Sequence, residues 1–259
     1  MPEPEDLTHI NFKKMFKLYL DERRLVQFPK DFDQDNFFLE AYNVYRQIGE
    51  NEYLKSVILK PWEDQGLTHV DLINNEPEIT ISISPYKIGI IAGSVVKKYQ
   101  TFVEFRDVFA HELFHAQSNC NIINKYGVAE YKSIKDDMDM YTMLARIEFD
   151  EYIACRKNAE MFQSFDTIET LDSAETFINN YRAYGYPICL QKFLYCVATH
   201  TAFAEVSQNY IDKLSIEKYK LKDIFFAIKK LFNEAYGEVP LNHERYKMLG
   251  LNLKSIIEL

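Results

Sequence analysis

Between Pro77 and Pro85, Ile79, Ile81 and Ile83 alternate with Thr80, Ser82 and Ser84. Successive side chains of a strand point to opposite faces. This period of two therefore predicts a strand with one buried aliphatic face and one small hydroxylated face. Ser56-Val57-Ile58-Leu59 and Val70-Asp71-Leu72-Ile73 are short, carry β-branched residues and are bounded by Pro61 and by Asn74–Asn75, so they read as further strands. Lys87–Ala92, closed by Gly93, is another candidate. From Thr101 onward the pattern turns helical and stays so. Helices are predicted from Thr101 to about Ser118, from roughly Ile134 to Phe162, over Ala174–Tyr184, Ile188–Val206 and Ser215–Tyr236, and after Pro240, with a loop at Gly127. Ahead of the strands, Phe12–Ile48 reads as helix in two pieces, broken near Pro29 and stopped by Gly49. The expected fold is α+β, a small early β-sheet packed on a mainly helical body. No linker divides the chain, so one domain is expected over residues 1–259, mixed helix and sheet over residues 1–100 and helical over residues 101–259.

Composition sets the outer limits. Apolar residues make up 47% and charged residues 27% of 259, enough apolar surface to offset the entropy of ordering the chain. Only 8 Gly and 8 Pro argue against a turn-rich β-sandwich. A formal charge of −9 with no long Lys/Arg run speaks against nucleic acid as a partner. No apolar run is long enough for a bilayer, and the first residues lack the basic and apolar regions of a signal peptide. Cys120, Cys155, Cys189 and Cys196 match neither a disulfide framework nor a zinc ribbon. Reduced thiols in a cytoplasmic protein, with no membrane partner, are the expectation.

The chemistry concentrates in His111-Glu112-Leu113-Phe114-His115, an H-E-x-x-H motif. Residues i and i+4 share a helix face, so both imidazoles can reach one metal ion. Glu112, beside the first ligand, is placed to act as general base toward a water that zinc activates. Thr101 with Glu104 makes a capping box that opens the helix, and Phe102, Phe105, Phe109 and Ala116 form an apolar stripe on another side of it.

In these residues the chain resembles the zincin metallopeptidases, whose extended signature has uncharged neighbours such as Val108, Phe109, Ala110 and Ala116; Gln117 departs from that pattern. The metzincin subclass is excluded, because Ser118 and Asn121 stand where its Gly and third His would be. The resemblance then implies a carboxylate third ligand from a later helix. Glu151-Tyr152-Ile153-Ala154 looks like the E-x-x-A element of gluzincin-type peptidases, with a distant likeness to the ImmA/IrrE-type group. Glu151 is the favoured ligand; Glu148 and Asp150 are the alternatives, and taken singly each reads as an exposed helical carboxylate. Glu148 and Glu151 share a face, so the one that does not bind zinc would orient a His ligand. The resemblance covers this two-helix core and the preceding strand. It implies zinc, a peptide or protein substrate, and Ile79–Ser84 or Lys87–Ala92 as a sheet edge that binds substrate backbone, against the plainer reading of an interior strand.

The oxyanion-stabilising residue is open among 18 Tyr. His200 reads as a hydrogen-bonded core residue before a catalytic one, Tyr152 as a packing residue, Phe225, Phe226 and Phe232 as core, and His9, His69 and His243 as exposed loop residues. Two other functions compete. Glu112 and His115 also form E-x-x-H, a di-iron ligand pair, but no other His has Glu three residues before it. A vestigial or structural zinc site in an interaction protein, with Asp136-Asp137-Met138-Asp139 offered to a basic partner, is the non-enzymatic alternative.

Overall fold

The computed structural model describes residues 11–18, 20–21, 24–25, 33–60, 66–84, 102–165 and 169–258. The expectations for Lys87–Ala92, Pro29, His9, the Thr101 cap and the Phe102 side chain lie outside the described residues. The fold is α+β, a small mixed sheet followed by a long helical series. The chain divides into two compact units, Met1–Cys120 and Asn121–Leu259.

The first unit holds the sheet. Its strands are β1 (Phe16–Leu18), β4 (Leu54–Leu59), β5 (Gly66–Ile73) and β6 (Glu76–Ile83), in the order β1-β4-β6-β5. β2 (Leu20–Asp21) and β3 (Arg24–Leu25) form a separate two-stranded ribbon. β4 runs parallel to both β1 and β6, whereas β5 and β6 form an antiparallel hairpin. Asn74 and Asn75 both have positive φ, 54° and 66°, as the tight turn of a two-residue hairpin requires. The period of two is borne out: Ile79, Ile81 and Ile83 are fully buried. On the other face Thr80 exchanges a hydroxyl hydrogen bond of 3.2 Å with Ser56.

The helix expected from Phe12 onward is corrected. Phe16–Leu18 is extended and pairs with Val57–Leu59, so a partner strand about forty residues away overrides the local helical look. Helix α1 (Gln34–Ile48) is as expected. Asp33 caps it by accepting from the Asn36 amide at 3.0 Å, and Gly49 ends it at φ 117°. An aromatic cluster of Phe12, Phe16, Phe37, Phe38, Tyr42 and Tyr45 fills this unit's core.

Helix α2 spans Phe102–Asp136. The stop expected at Ser118 does not occur. Asn119 instead donates its side-chain amide to the His115 carbonyl at 2.7 Å, a bond within the helix that competes with no backbone turn. The break comes at Gly127, whose φ of 84° and ψ of 167° are non-helical.

In the second unit, α3 (Met140–Phe162) begins later than expected, at an N-cap Asp139 that accepts from the Thr142 amide at 2.8 Å. There follow α4 (Leu171–Tyr184), α5 (Pro187–Val206), α6 (Gln208–Leu214), a 3-10 turn at Ile216–Lys218, α7 (Lys222–Tyr236) and α8 (His243–Ile257). The single helix expected over Ser215–Tyr236 is therefore two pieces. α5 is apolar around most of its circumference because α3, α4, α6 and α7 all pack on it. Among the described residues no helix is long and apolar enough to cross a membrane.

Candidate metal centre

Aromatic packing fixes the start of the motif helix within the first unit. Phe105 and Phe109 are fully buried and stack on each other at 5.4 Å; Phe105 also meets Phe37 at 4.7 Å and Phe109 meets Phe16 at 5.9 Å. This stripe turns His111 and His115 to another side of α2, as the spacing predicts. Their rings meet edge to face at 4.6 Å, and their Nε2 atoms lie 3.0 Å apart. Both are half-buried.

Glu112 is buried, at 6% exposure, and reaches β5. The Thr68 hydroxyl lies 2.7 Å from Glu112 Oε2 and 2.8 Å from the Glu112 carbonyl oxygen, and shares its one proton between them. Two residues earlier, a Cβ at Gly66 would stand 2.6 Å from Glu112 Oε1, closer than side chains approach one another. Glycine thus leaves the space that the carboxylate fills. The edge expected at Ile79–Ser84 is corrected here. β6 is an interior strand, as the plainer reading had it, and β5 has no neighbour on its outer side among the described residues. Sequence reasoning missed Thr68 and Gly66, because a contact between residues 44 apart leaves no local signature.

The remaining candidates stand on α3 in the second unit. Glu148 is 1% exposed, which corrects the exposed helical carboxylate expected from sequence. Its Oε2 is buried without a hydrogen-bond partner. Burial first, and then the charge of Glu151, holds its carboxyl well above the usual carboxylate range. Glu151 is half-buried and accepts from the Cys155 thiol at 3.3 Å. Burial, followed by the Glu151 charge, pushes that thiol well above its ordinary value. Asp150 is half-buried. From α5, the Tyr195 phenol is raised by burial and then by the charges of Glu151, Cys155 and Glu148, which makes it a neighbour of these groups.

Other expected residues fall outside this grouping. His200 is a hydrogen-bonded core residue, with Nε2 3.1 Å from the Glu169 carbonyl and Nδ1 2.6 Å from the Tyr210 hydroxyl. Tyr152 is fully buried against Phe149 and Phe232, and its hydroxyl accepts from Arg156 at 3.0 Å. His69 is exposed but lies in β5, not in a loop, 2.9 Å from Asp71. His243 is neither in a loop nor exposed: it opens α8 and meets Asp137 at 2.7 Å. Phe225 and Phe232 are core, whereas Phe226 is exposed.

The two imidazoles could share one metal ion. Two Zn–N bonds of about 2.05 Å at a tetrahedral angle put their nitrogens about 3.3 Å apart, close to the spacing of the two imidazoles. Beside Glu151, burial favours the neutral form of Glu148, and a bound cation would favour its ionised form. Compared with models of known families, with curated proteins and with solved structures, the chain matches none.

Proposed function

We propose that the protein is a zinc-dependent metallopeptidase that hydrolyses a peptide bond, with His111, His115 and Glu151 as metal ligands and Glu112 as general base. The observation that carries this reading is the helical turn of His111, Glu112 and His115, with the two Nε2 atoms 3.0 Å apart and Glu112 seated on β5. Zinc supplies Lewis-acid chemistry there, lowering the pKa of water and polarising a carbonyl. Glu112 takes the proton of the attacking water and passes it to the departing amine. A structural zinc site has no use for such a base, so the buried Glu112 favours the enzyme over the vestigial alternative. Glu148, beside Glu151 but buried more deeply, serves as a supporting carboxylate. The outer side of β5 is the candidate edge for an extended peptide. None of the four cysteines is in a disulfide, which suits the cytoplasm.

The test joins metal content with cleavage of a quenched-fluorescent peptide library. Wild type holding about one zinc per chain, lost in His111→Ala and Glu151→Ala, supports the ligand set. Cleavage lowered by roughly 10²–10⁴-fold in Glu112→Gln, with zinc retained, supports the peptidase. A wild type without zinc, or a Glu151→Ala variant that keeps it, removes the ligand assignment.

A further inference from the structure

We infer that Thr68 is a positioning residue for the general base, and that Gly66 and Thr68 of β5 together form the seat that holds the Glu112 carboxylate. This rests on the peptidase reading above. A glutamate on a helix has three rotatable bonds and two equivalent oxygens, so its position beside His111 does not by itself aim either one. Here the carboxylate is held twice. The Thr68 hydroxyl binds Oε2 at 2.7 Å, and the missing side chain of Gly66 admits Oε1 to a space that a Cβ at 2.6 Å would take.

The same hydroxyl reaches the Glu112 main-chain oxygen at 2.8 Å, which ties the side-chain seat to the motif helix itself. A purely structural tie would need only the main-chain bond; the bond to Oε2 is the one that orients the base. Thr68 and Gly66 also stand two apart on one strand and so share a face. Thr68 alternates with exposed Leu67 and His69, so its inward aim follows from the pleat and needs no special backbone.

The experiment compares Thr68→Val, Thr68→Ala and Thr68→Ser with wild type on the best-cleaved peptide of the fluorogenic library, alongside zinc content, melting temperature and crystal structures. Valine keeps the shape and loses the hydroxyl; serine keeps the hydroxyl. The expected result is a kcat lower by roughly 10–100-fold in the valine and alanine variants, with KM within about twofold. Serine restores kcat, zinc content is unchanged throughout, and the crystal structure of the valine variant shows the Glu112 carboxylate off β5. Added to Glu112→Gln, Thr68→Val is expected to slow the residual rate no further, because it acts through the residue already lost.

A valine variant with wild-type kcat and an unmoved carboxylate overturns the inference, as does a serine variant as slow as valine, or a valine effect that multiplies that of Glu112→Gln. If Glu112→Gln slows cleavage by about a hundredfold or more while Thr68→Val is neutral, the positioning role fails alone. If Glu112→Gln cleaves as wild type does, the peptidase reading fails and takes the positioning role with it.

Discussion

Gly250 of α8 lies directly on the backbone of Thr142 in α3: a Cβ there would stand 2.8 Å from the Thr142 amide nitrogen and 2.9 Å from its Cα. Both atoms are main chain, so neither can swing aside as a side chain does. Gly250→Ala gains about 1 kcal/mol of helix propensity. Against this, prying the two helices apart costs roughly 3 kcal/mol. The net expectation is a loss of about 2 kcal/mol, read as a fall in urea midpoint at unchanged slope. A variant as stable as wild type would show that α8 shifts without loss of packing.

His200 makes stability depend on pH. Burial holds its pKa below the ordinary value, only partly opposed by the bond to the Glu169 carbonyl. That carbonyl can only accept, so Nε2 carries the proton of the neutral ring and Nδ1 accepts from Tyr210. As pH falls below about 6.5 the unfolded chain takes up a proton that the native state refuses. The His200 contribution is thus fully present above that pH and is lost as pH falls toward the lower native pKa, at a slope of at most about 1.4 kcal/mol per unit. In His200→Gln the decline in melting temperature between pH 7 and pH 5 should be shallower. Equal slopes in the two proteins would assign the decline to other groups.

What could be read without a structure was whatever depended on local periodicity. The alternation of Ile79, Ile81 and Ile83 was enough for β6, and Gly49 for the end of α1. Phe16–Leu18 was illegible because its strand state is decided by Val57–Leu59, not by its own residues. Ser118 to Asn121 looked like a stop because such residues compete for backbone hydrogen bonds, yet Asn119 uses its amide inside the helix. At the candidate site, spacing placed both histidines and put Glu148 on the face of Glu151. It could not tell which carboxylate would be sealed from solvent, since that depends on which neighbours pack over each one. The Thr68 bond to Glu112 was hidden for the same reason, being a purely tertiary contact.

Gly66→Ala tests the seat from its other side. The new methyl would meet the Glu112 side chain, 2.6 Å from Oε1, 2.7 Å from Cγ and 2.9 Å from Cδ, all side-chain atoms that can rotate away. Stability should therefore change by less than about 1 kcal/mol, with zinc content unaltered. Peptide cleavage should fall by about tenfold or more, because the carboxylate gives up its place. A variant that melts several degrees lower, with kcat unaltered, would mean that Glu112 stays and the strand moves.

Metal removal separates the two side chains of α3 that could complete the set. Glu151 and Cys155 stand one turn apart and share a hydrogen bond of 3.3 Å, so either could in principle offer the donor atom. A thiolate would have to form where burial and the Glu151 charge oppose it, which favours the carboxylate. Cys155→Ser should then retain about one zinc per chain, while Glu151→Ala loses it. Zinc at a thousand times its dissociation constant stabilises the native state by about 4 kcal/mol. A chelator should lower the melting temperature of wild type and Cys155→Ser by roughly 8–16 °C, and leave His111→Ala and Glu151→Ala where they are. Loss of zinc in Cys155→Ser with retention in Glu151→Ala would move the third ligand to sulfur. The same chelator shift in all four proteins would place the stabilising ion elsewhere.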